Sequence, residues 1–188
     1  MNSNSEPFAI ELWQPTDTRV DQDVRSLGDL LHDCVHDGAA VSFILPFSRG
    51  EATAFWRNKV LPAVRDGTCL VVVARRRDKE IVGTVQVDLA TPPNQPHRGE
   101  IKKLLVHPAA RRAGIARALM LAIEDHAREA RRTLLTLDTA SAAAEHLYAS
   151  LGYVRVGLIP RFSLKADAAG LPEFEDTTVM YKELPPLA

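Results

Sequence analysis

The sequence contains little cysteine. Among its 188 residues only Cys34 and Cys69 are cysteines, and they lie far apart. They also lack the CxxC or Cys/His spacing of a metal site or a redox motif. We therefore expect two reduced thiols, in the core or at the surface, and no metal site.

The chain also has almost no net charge and no long apolar run. The formal net charge is −1, which gives no reason to expect a polyanionic partner such as nucleic acid. No apolar run approaches the roughly 20 residues of a membrane span, and residues 1–7 lack the basic-then-apolar pattern of a signal peptide. We expect a cytoplasmic protein with no nucleic-acid partner and no membrane partner.

The composition that is present is that of an ordinary globular protein. Hydrophobic residues make up 46% of the chain and charged residues 25%, a balance that argues against long disorder. A chain of 188 residues can bury one substantial core and is too short to suggest two. We expect a single domain over residues 1–188, with residues 1–7 as a flexible arm.

Periodicity in the first half of the chain predicts two helices and three strands. Over Asp21–His36 apolar residues recur every three or four positions, as on the buried face of a helix. A second helix is predicted over about Gly50–Arg65, bent or interrupted at Pro62. Alternating or β-branched runs predict the strands Phe8–Trp13, Cys69–Ala74 and Ile81–Leu89, of which the last two form a hairpin. We expect the three arginines Arg75–Arg77 to lie in a solvated turn between them.

The second half of the chain alternates strands with helices. A strand over Gly99–Val106, a helix over Arg112–Arg131 and a strand over Thr133–Leu137 predict a βαβ unit. The elements predicted after this unit are a helix over Ser141–Ser150, a strand over Tyr153–Leu158, a polar loop and a final strand over Thr177–Glu183. Within that loop, Lys165–Pro172 is expected to be weakly ordered. The predicted fold class is α/β, with a mixed sheet.

A turn rich in basic and small residues leads into the helix of the βαβ unit. A helix start presents unpaired backbone N–H groups and a partial positive charge, so such a turn can hold a phosphate group. Gly114 and Ala116 allow an anion to approach the backbone closely, and Arg111 and Arg112 add guanidinium donors. The alternative interpretation is a solvated turn without a ligand.

Two motifs give the sequence a family resemblance. The turn reads Arg-Arg-Ala-Gly-Ile-Ala from Arg111 to Ala116 and fits the pattern Gln/Arg-x-x-Gly-x-Gly/Ala. Further along, Ala-Glu-His-Leu-Tyr-Ala-Ser-Leu-Gly-Tyr from Ala144 to Tyr153 fits the pattern A-x-x-x-Y-x-x-x-G-F/Y. In letters, order and spacing, the chain resembles the GNAT family of N-acetyltransferases, most clearly over Gly99–Leu158.

The resemblance implies a GNAT (acyl-CoA N-acyltransferase) fold, in which a mixed, mostly antiparallel central sheet is splayed at its fourth and fifth strands and carries about four helices. It also implies acetyl-CoA as co-substrate, without a metal. By resemblance, the backbone of Leu104, Leu105 and Val106 contacts the pantetheine arm. The pyrophosphate is held, again by resemblance, by Arg111, Arg112, Ala113, Gly114, Ile115 and Ala116.

Three residues are candidates for the chemistry that the resemblance implies. Tyr148 matches the tyrosine that many family members use as general acid toward the departing thiolate; the alternative is a buried tyrosine that packs a helix on the sheet. Removal of a proton from the amine needs a base. Glu100 lies where the family often has a glutamate base, and Asp138, at a strand end, would project toward the same slot. Each could instead be a solvated carboxylate, and water could serve as the base.

A closer resemblance is to family members related to the tabtoxin resistance protein. It rests on the segments Leu135–Thr139, Gly157–Pro160 and Thr178–Lys182. In that subgroup an aspartate at the position of Asp138 and the tyrosine at Tyr148 are the proposed catalytic pair. Here the connection after Thr139 is one residue shorter and lacks the subgroup's glycine, which puts the geometry between the two residues in doubt.

The resemblance implies a bacterial-type enzyme that transfers acetyl from acetyl-CoA to the primary amine of a small molecule, an amino-acid-like metabolite or toxin, by direct attack in a ternary complex. The alternatives are acetylation of a protein N-terminus or lysine, and a sensor that binds acyl-CoA without catalysis. A polar pocket with charged ends would favour the metabolite, and a wide groove would favour a peptide. A homodimer is possible by family habit. The apolar segment Phe43–Phe47 either lines the acceptor side or packs in the core.

Overall fold

The computed structural model describes residues 8–16, 18–39, 41–166 and 172–185, so the expected N-terminal arm lies outside the described residues. The strands are β1 (Phe8–Leu12), β2 (Cys69–Arg76), β3 (Ile81–Asp88), β4 (Arg98–Val106), β5 (Leu134–Thr139), β6 (Val154–Ala166) and β7 (Pro172–Glu183). The helices are α1 (Val20–His36), α2 (Arg49–Phe55), α3 (Leu61–Arg65), α4 (Ile115–Glu129) and α5 (Ala142–Ser150). None of these helices has the length and apolar character needed to cross a membrane.

The seven strands form one sheet in the order β1-β2-β3-β4-β5-β7-β6. The pair β4–β5 is parallel and the other pairs are antiparallel. A parallel pair needs a crossover connection, and α4 supplies it, so β4, α4 and β5 form the predicted βαβ unit. The prediction of a mixed, mostly antiparallel sheet is confirmed.

The two faces of the sheet enter two separate hydrophobic clusters. On one face α4 packs through Leu119 and Ile123, and on the other α1 packs through Leu27. Successive side chains of a strand point to opposite faces, so Val72 of β2 enters the first cluster and Val73 the second. This double burial explains why β2 is continuously apolar from Cys69 to Ala74.

The second predicted helix is one continuous body in which a π-helical turn, Trp56–Val60, joins α2 to α3. Ser48 caps its start: its hydroxyl accepts from the backbone N–H of Glu51, while its own N–H donates to the Glu51 carboxylate. Pro62, at the start of α3, has no N–H to donate, and the wider turn before it accommodates the missing bond. Counted in this way, the described residues contain four α-helical bodies, as predicted.

The C-terminal hairpin is longer than the sequence predicts. The pattern predicts a strand ending at Leu158 and another beginning at Thr177, whereas β6 continues to Ala166 and β7 already starts at Pro172. The prediction of a polar loop is wrong because this segment is an exposed two-stranded ribbon, and an exposed ribbon needs no apolar face. Residues 167–171 of that expected loop lie outside the described residues.

Arg75 is buried, which contradicts the expected solvated turn. Its guanidinium donates to both carboxylate oxygens of Asp23, at 2.9 and 3.1 Å, and to Glu11 at 2.6 Å. Asp23 also accepts from the indole N–H of Trp13 at 3.0 Å. Arg75 is 7% exposed and Asp23 is 2% exposed. The first of the three arginines therefore belongs to β2 and ties α1 to the edge of the sheet.

We expect Asp23→Ala to lower the free energy of unfolding by about 3–5 kcal/mol, because it leaves the buried Arg75 guanidinium with Glu11 as its remaining carboxylate partner and the Trp13 N–H without an acceptor. Asp21→Ala is the matched control: Asp21 lies on the same helical turn and forms an exposed pair with Arg57 at 2.7 Å. Asp21→Ala should lower the free energy of unfolding by less than about 1 kcal/mol. Urea unfolding of the two variants measures both values, and equal losses would contradict the role assigned to Asp23.

Candidate active site

The parallel pairing between β4 and β5 is short. The ladder runs from the pair Arg98 and Leu134 to the pair Glu100 and Thr136, and it ends there. Past this point the strands diverge, and a cavity of about 820 Å³ opens beside them. The predicted splay of the fourth and fifth strands is confirmed.

Five parts of the chain line this cavity: β4 from Glu100 onward, the end of α1 with the loop after it, Arg111, the region from β5 to α5, and the β6–β7 hairpin. A smaller cavity of about 210 Å³ adjoins it and shares Asp138, Phe162 and Glu175 with it. The apolar residues Phe43, Ile44 and Leu45 line this smaller cavity. The structure thus places the apolar segment after α1 beside the splayed strands.

A β-bulge lies in β4 where the strand passes the cavity. Two residues of β4, Lys103 and Leu104, oppose the single residue Val85 of β3. Lys103 has a φ of 52°, in the left-handed region that residues other than glycine rarely occupy. A bulge bends its strand and changes the direction of its side chains. The Lys103 ammonium accordingly reaches the loop after α1, where it donates to the carbonyl oxygen of Val41 at 2.8 Å.

The residues Leu104, Leu105 and Val106 follow the end of the β4–β5 ladder and line the cavity. Leu105 is 3% exposed and packs in the core, so its backbone is the part that can face a ligand. The carbonyl oxygen of Val106 accepts from the thiol of Cys34 at 3.5 Å and from the guanidinium Nε of Arg111 at 3.4 Å. The backbone of this stretch therefore has no pairing with β5, and the carbonyl oxygen of Val106 already accepts two hydrogen bonds.

The start of α4 has the features of an anion site. Gly114 is the N-cap residue with a φ of 78°, and no side chain caps the helix. A Cβ on Gly114 would meet nothing within 4 Å, so the space in front of the first N–H groups is open. These N–H groups and the helix dipole favour a phosphate there. Ile115 is buried, so only its backbone can take part, whereas Arg112 and Ala113 are exposed.

Arg111 links the start of α4 to the cavity, because it lines the cavity and precedes the helix by four positions. Its guanidinium lies 2.5 Å from the carboxylate of Asp37, the residue that ends α1. One of the predicted phosphate donors therefore already has a carboxylate partner, whose negative charge would oppose a phosphate there.

Tyr148 lies on α5, lines the cavity and is 6% exposed. Its ring centroid is 5.7 Å from that of Tyr153, so the side chain also packs against its neighbours. Burial, and to a lesser extent the charge of Asp138, raises the pKa of the Tyr148 phenol well above its usual value. The phenol therefore stays protonated at neutral pH, where it can donate a proton or a hydrogen bond.

The two candidate bases lie on neighbouring strands and have different partners. Asp138, at the end of β5, lines both cavities and accepts from the hydroxyl of Thr177 at 2.8 Å. The carboxylate of Glu100 lies 3.5 Å from the ammonium of Lys102 and 3.8 Å from the guanidinium of Arg98. Asp138 therefore has a neutral hydrogen-bond partner, whereas two cations hold Glu100.

Sequence reasoning missed two parts of this site. The first is Lys103, although two consecutive lysines, Lys102 and Lys103, break the alternation of β4, and such a break is typical of a bulge. The second is the hairpin wall with Phe162 and Glu175, which the pattern placed in a loop. Nothing in the sequence indicates that this distant hairpin returns to the cavity.

Taken together, the arrangement can hold an elongated ligand with a phosphate-bearing end and an extended amide arm. The uncapped start of α4 suits the phosphates, and the part of β4 beyond its ladder with β5 suits the arm. Across the described ranges, no group of three or more His, Cys, Asp or Glu residues is placed to hold a metal ion.

A protein-family model described as the acetyltransferase (GNAT) family matches residues 20–153 of this chain. The matched part is well over half of the sequence. It begins at the start of α1 and includes the splayed strands, the turn before α4 and Tyr148.

Solved structures share the fold. The putative acetyltransferase yncA from Salmonella typhimurium, solved with its cofactor acetyl-CoA, is 18% identical with a TM-score of 0.73, over 97% of this chain and 96% of that chain. A phosphinothricin acetyltransferase from Sinorhizobium meliloti, in complex with AcCoA, is 18% identical with a TM-score of 0.74, over 95% and 89%. A ribosomal-protein-alanine N-acetyltransferase from Brucella melitensis is 23% identical with a TM-score of 0.72, over 94% and 99%. At these identities the likeness shows the fold alone.

We expect Gly114→Glu to abolish binding of coenzyme A, because it places bulk and negative charge in front of the open helix start. Gly67→Glu is the matched control, since Gly67 has a similar φ of 76° and equally open surroundings but lies in the turn after α3. The strain is then equal and only the position differs. Calorimetric titration with coenzyme A compares the two variants, and unchanged affinity in Gly114→Glu would show that the anion site is wrongly assigned.

Proposed function

The chain belongs to the GNAT family of acetyltransferases, and from this premise we propose that it transfers the acetyl group of acetyl-CoA to the primary amine of a small molecule. The observation that carries the proposal is the opening between β4 and β5, which has an uncapped helix start nearby and the buried phenol of Tyr148 on its wall. In this proposal acetyl-CoA is the acyl donor, and the acceptor is an amino-acid-like metabolite or toxin.

The size and charge of the site support a small acceptor. The larger cavity, of about 820 Å³, has to take the pantetheine arm as well, so an acceptor has only the rest of it and the adjoining cavity of about 210 Å³; typical small-molecule sites have roughly 300–1,000 Å³. Their walls carry charges of both signs, with Lys103 on β4 and Asp138 on β5. Such a pocket suits a compact amine that itself carries charge better than it suits an extended peptide.

The chemistry begins with the acceptor amine, which is an ammonium ion at neutral pH and has to lose a proton before it can attack. We assign Asp138 to hold this ammonium and to receive or relay its proton. Its place in both cavities supports this role, whereas the two cations beside Glu100 make that residue the second candidate. A water molecule is the third.

Transfer then occurs by direct attack in a ternary complex. The amine nitrogen bonds to the thioester carbonyl carbon, and the bond from that carbon to sulfur breaks. Tyr148 donates its proton to the departing sulfur, a role that its protonated state supports. The products are the N-acetylated amine and the free thiol of coenzyme A. Of the two protons that the ammonium loses, one restores the Tyr148 phenol, which has given its own proton to sulfur, and the other enters the solvent.

Release of free thiol tests the proposed function. Purified protein with acetyl-CoA is screened against small amines, amino acids and peptides. Transfer to small amines supports the proposal, and transfer to peptides alone would instead support a protein N-terminal or lysine acetyltransferase. Tight binding of acetyl-CoA without transfer to any amine would support a sensor.

We expect Tyr148→Phe to lower kcat by on the order of 100-fold while leaving acetyl-CoA binding nearly unchanged, because the variant loses the proton donor and keeps the ring. Tyr181→Phe is the control, since Tyr181 lies on β7 and is not among the residues that line either cavity. Steady-state kinetics and titration with acetyl-CoA measure the two effects. Weaker binding with an unchanged kcat would instead mark Tyr148 as a packing residue.

A further inference from the structure

Lys103 is a half-buried cation on the wall of the larger cavity, beside the proposed acceptor site. Its ammonium donates to the carbonyl oxygen of Val41 at 2.8 Å and to the hydroxyl of Ser42 at 3.2 Å. It also lies 5.4 Å from the ring centroid of Phe43 and 5.8 Å from that of Phe55. An ammonium has three N–H donors, and the two acceptors account for two of them.

The charge of Lys103 has neutral partners in the free protein. Val41 and Ser42 accept through uncharged oxygens, and the two phenyl rings offer only their faces. Burial, with the charge of Lys102 adding to it, lowers the pKa of the Lys103 ammonium to about 8, and Asp138 opposes this change through its charge. A partly desolvated cation of this kind gains more from a bound anion than a fully exposed lysine does.

The backbone at Lys103 is also unusual. A φ of 52° at a residue other than glycine costs on the order of 1–3 kcal/mol, and such strain tends to be kept where it places a functional group. In a regular strand, Lys103 would follow the alternation of β4, and its ammonium would not reach the loop after α1. The bulge places the cation in the cavity that Leu104 and Tyr148 also line.

The two walls of the site carry opposite charges. Asp138 lies at the end of β5, and Lys103 lies on the strand that diverges from β5. An amine whose ammonium faces Asp138 would therefore present the rest of its structure toward Lys103. A carboxylate on that side would complete the third hydrogen bond of the lysine and compensate its charge.

We infer that Lys103 binds the carboxylate of the acceptor, so that the acceptor class is free amino acids rather than plain amines, peptide N-termini or protein lysines. This inference rests on the proposed function and deepens it, because it names the substrate class of the same site. Lys103 acts on specificity and takes no proton from the reacting amine.

The test compares free amino acids with their C-terminal amides, which keep the amine and the side chain but lose the carboxylate. The protein is saturated with coenzyme A, and calorimetry measures the affinity of each member of a panel of L-amino acids and amides. We expect each acid that binds to bind at least about tenfold more tightly than its amide. A difference in affinity of this size is typical of one charge-assisted hydrogen bond. Equal affinities for acid and amide, or binding of no acid at all, would overturn the inference.

Substitutions test whether Lys103 causes the preference for acids over amides. Lys103→Met should reduce the ratio of acid to amide affinity to about one, and Lys103→Arg should keep much of it. Lys59→Met, which removes an exposed lysine from the π-helical turn, should leave the ratio unchanged. Retained affinity for coenzyme A confirms that each variant is folded. A full preference in Lys103→Met would contradict the assignment, and the native acid-to-amide ratio remains decisive if that variant does not fold.

Thiol release, measured on the same panel, separates this inference from the proposed function. Acids that bind and are not acetylated would refute the proposed activity and leave the carboxylate site standing. If amides or peptides are acetylated as fast as the acids, the carboxylate site is refuted and the acetyltransferase activity is still supported.

Discussion

The end of the hydrogen-bond ladder between β4 and β5 is the constraint on which the site depends. Two parallel strands that pair only as far as Glu100 and Thr136 leave the backbone beyond that point without a strand partner on one side. Such groups are costly if they are buried dry, so the gap has to meet water or a ligand that can hydrogen-bond with them. The gap stays open because each strand is held from its other side, β4 by β3 and β5 by β7, while the two cores fix both faces of the sheet.

Close packing of α4 on β3 brings the start of α4 up to this gap. Gly83 lies on β3 under the first turns of α4, and a Cβ there would approach the side chain of Ile115 to 2.9 Å. The absent side chain allows α4 to lie directly on the sheet, so its start stands immediately beyond the end of β4. The open space at Gly114 and the close contact at Gly83 are thus two uses of glycine: the first leaves room for the proposed phosphate, and the second allows close packing.

The sequence predicted the parts of the structure that local pattern controls. The paired strands β2 and β3, the βαβ unit and the interruption near Pro62 follow from apolar periodicity and from the missing N–H of proline, which act over a few residues. Contacts between residues that are distant in the chain could not be predicted from local pattern. The burial of Arg75 depends on Asp23, far away in sequence, and a run of three arginines gives no sign of it. The hairpin wall was missed for the same reason. Lys103 was missed because the two consecutive lysines indicate a bulge in β4 but do not indicate which part of the chain the displaced side chain reaches.

If the start of α4 holds a diphosphate as proposed, the ion pair between Arg111 and Asp37 opposes its binding. A diphosphate that engages Arg111 would meet the charge of a carboxylate at the end of α1, so the observed affinity would be a difference between two charge pairings. Asp37 would then act as an internal competitor, which weakens the apparent affinity for the donor without touching it. The pairing of this carboxylate would depend on the ligand state of a turn that lies more than seventy residues further along the chain.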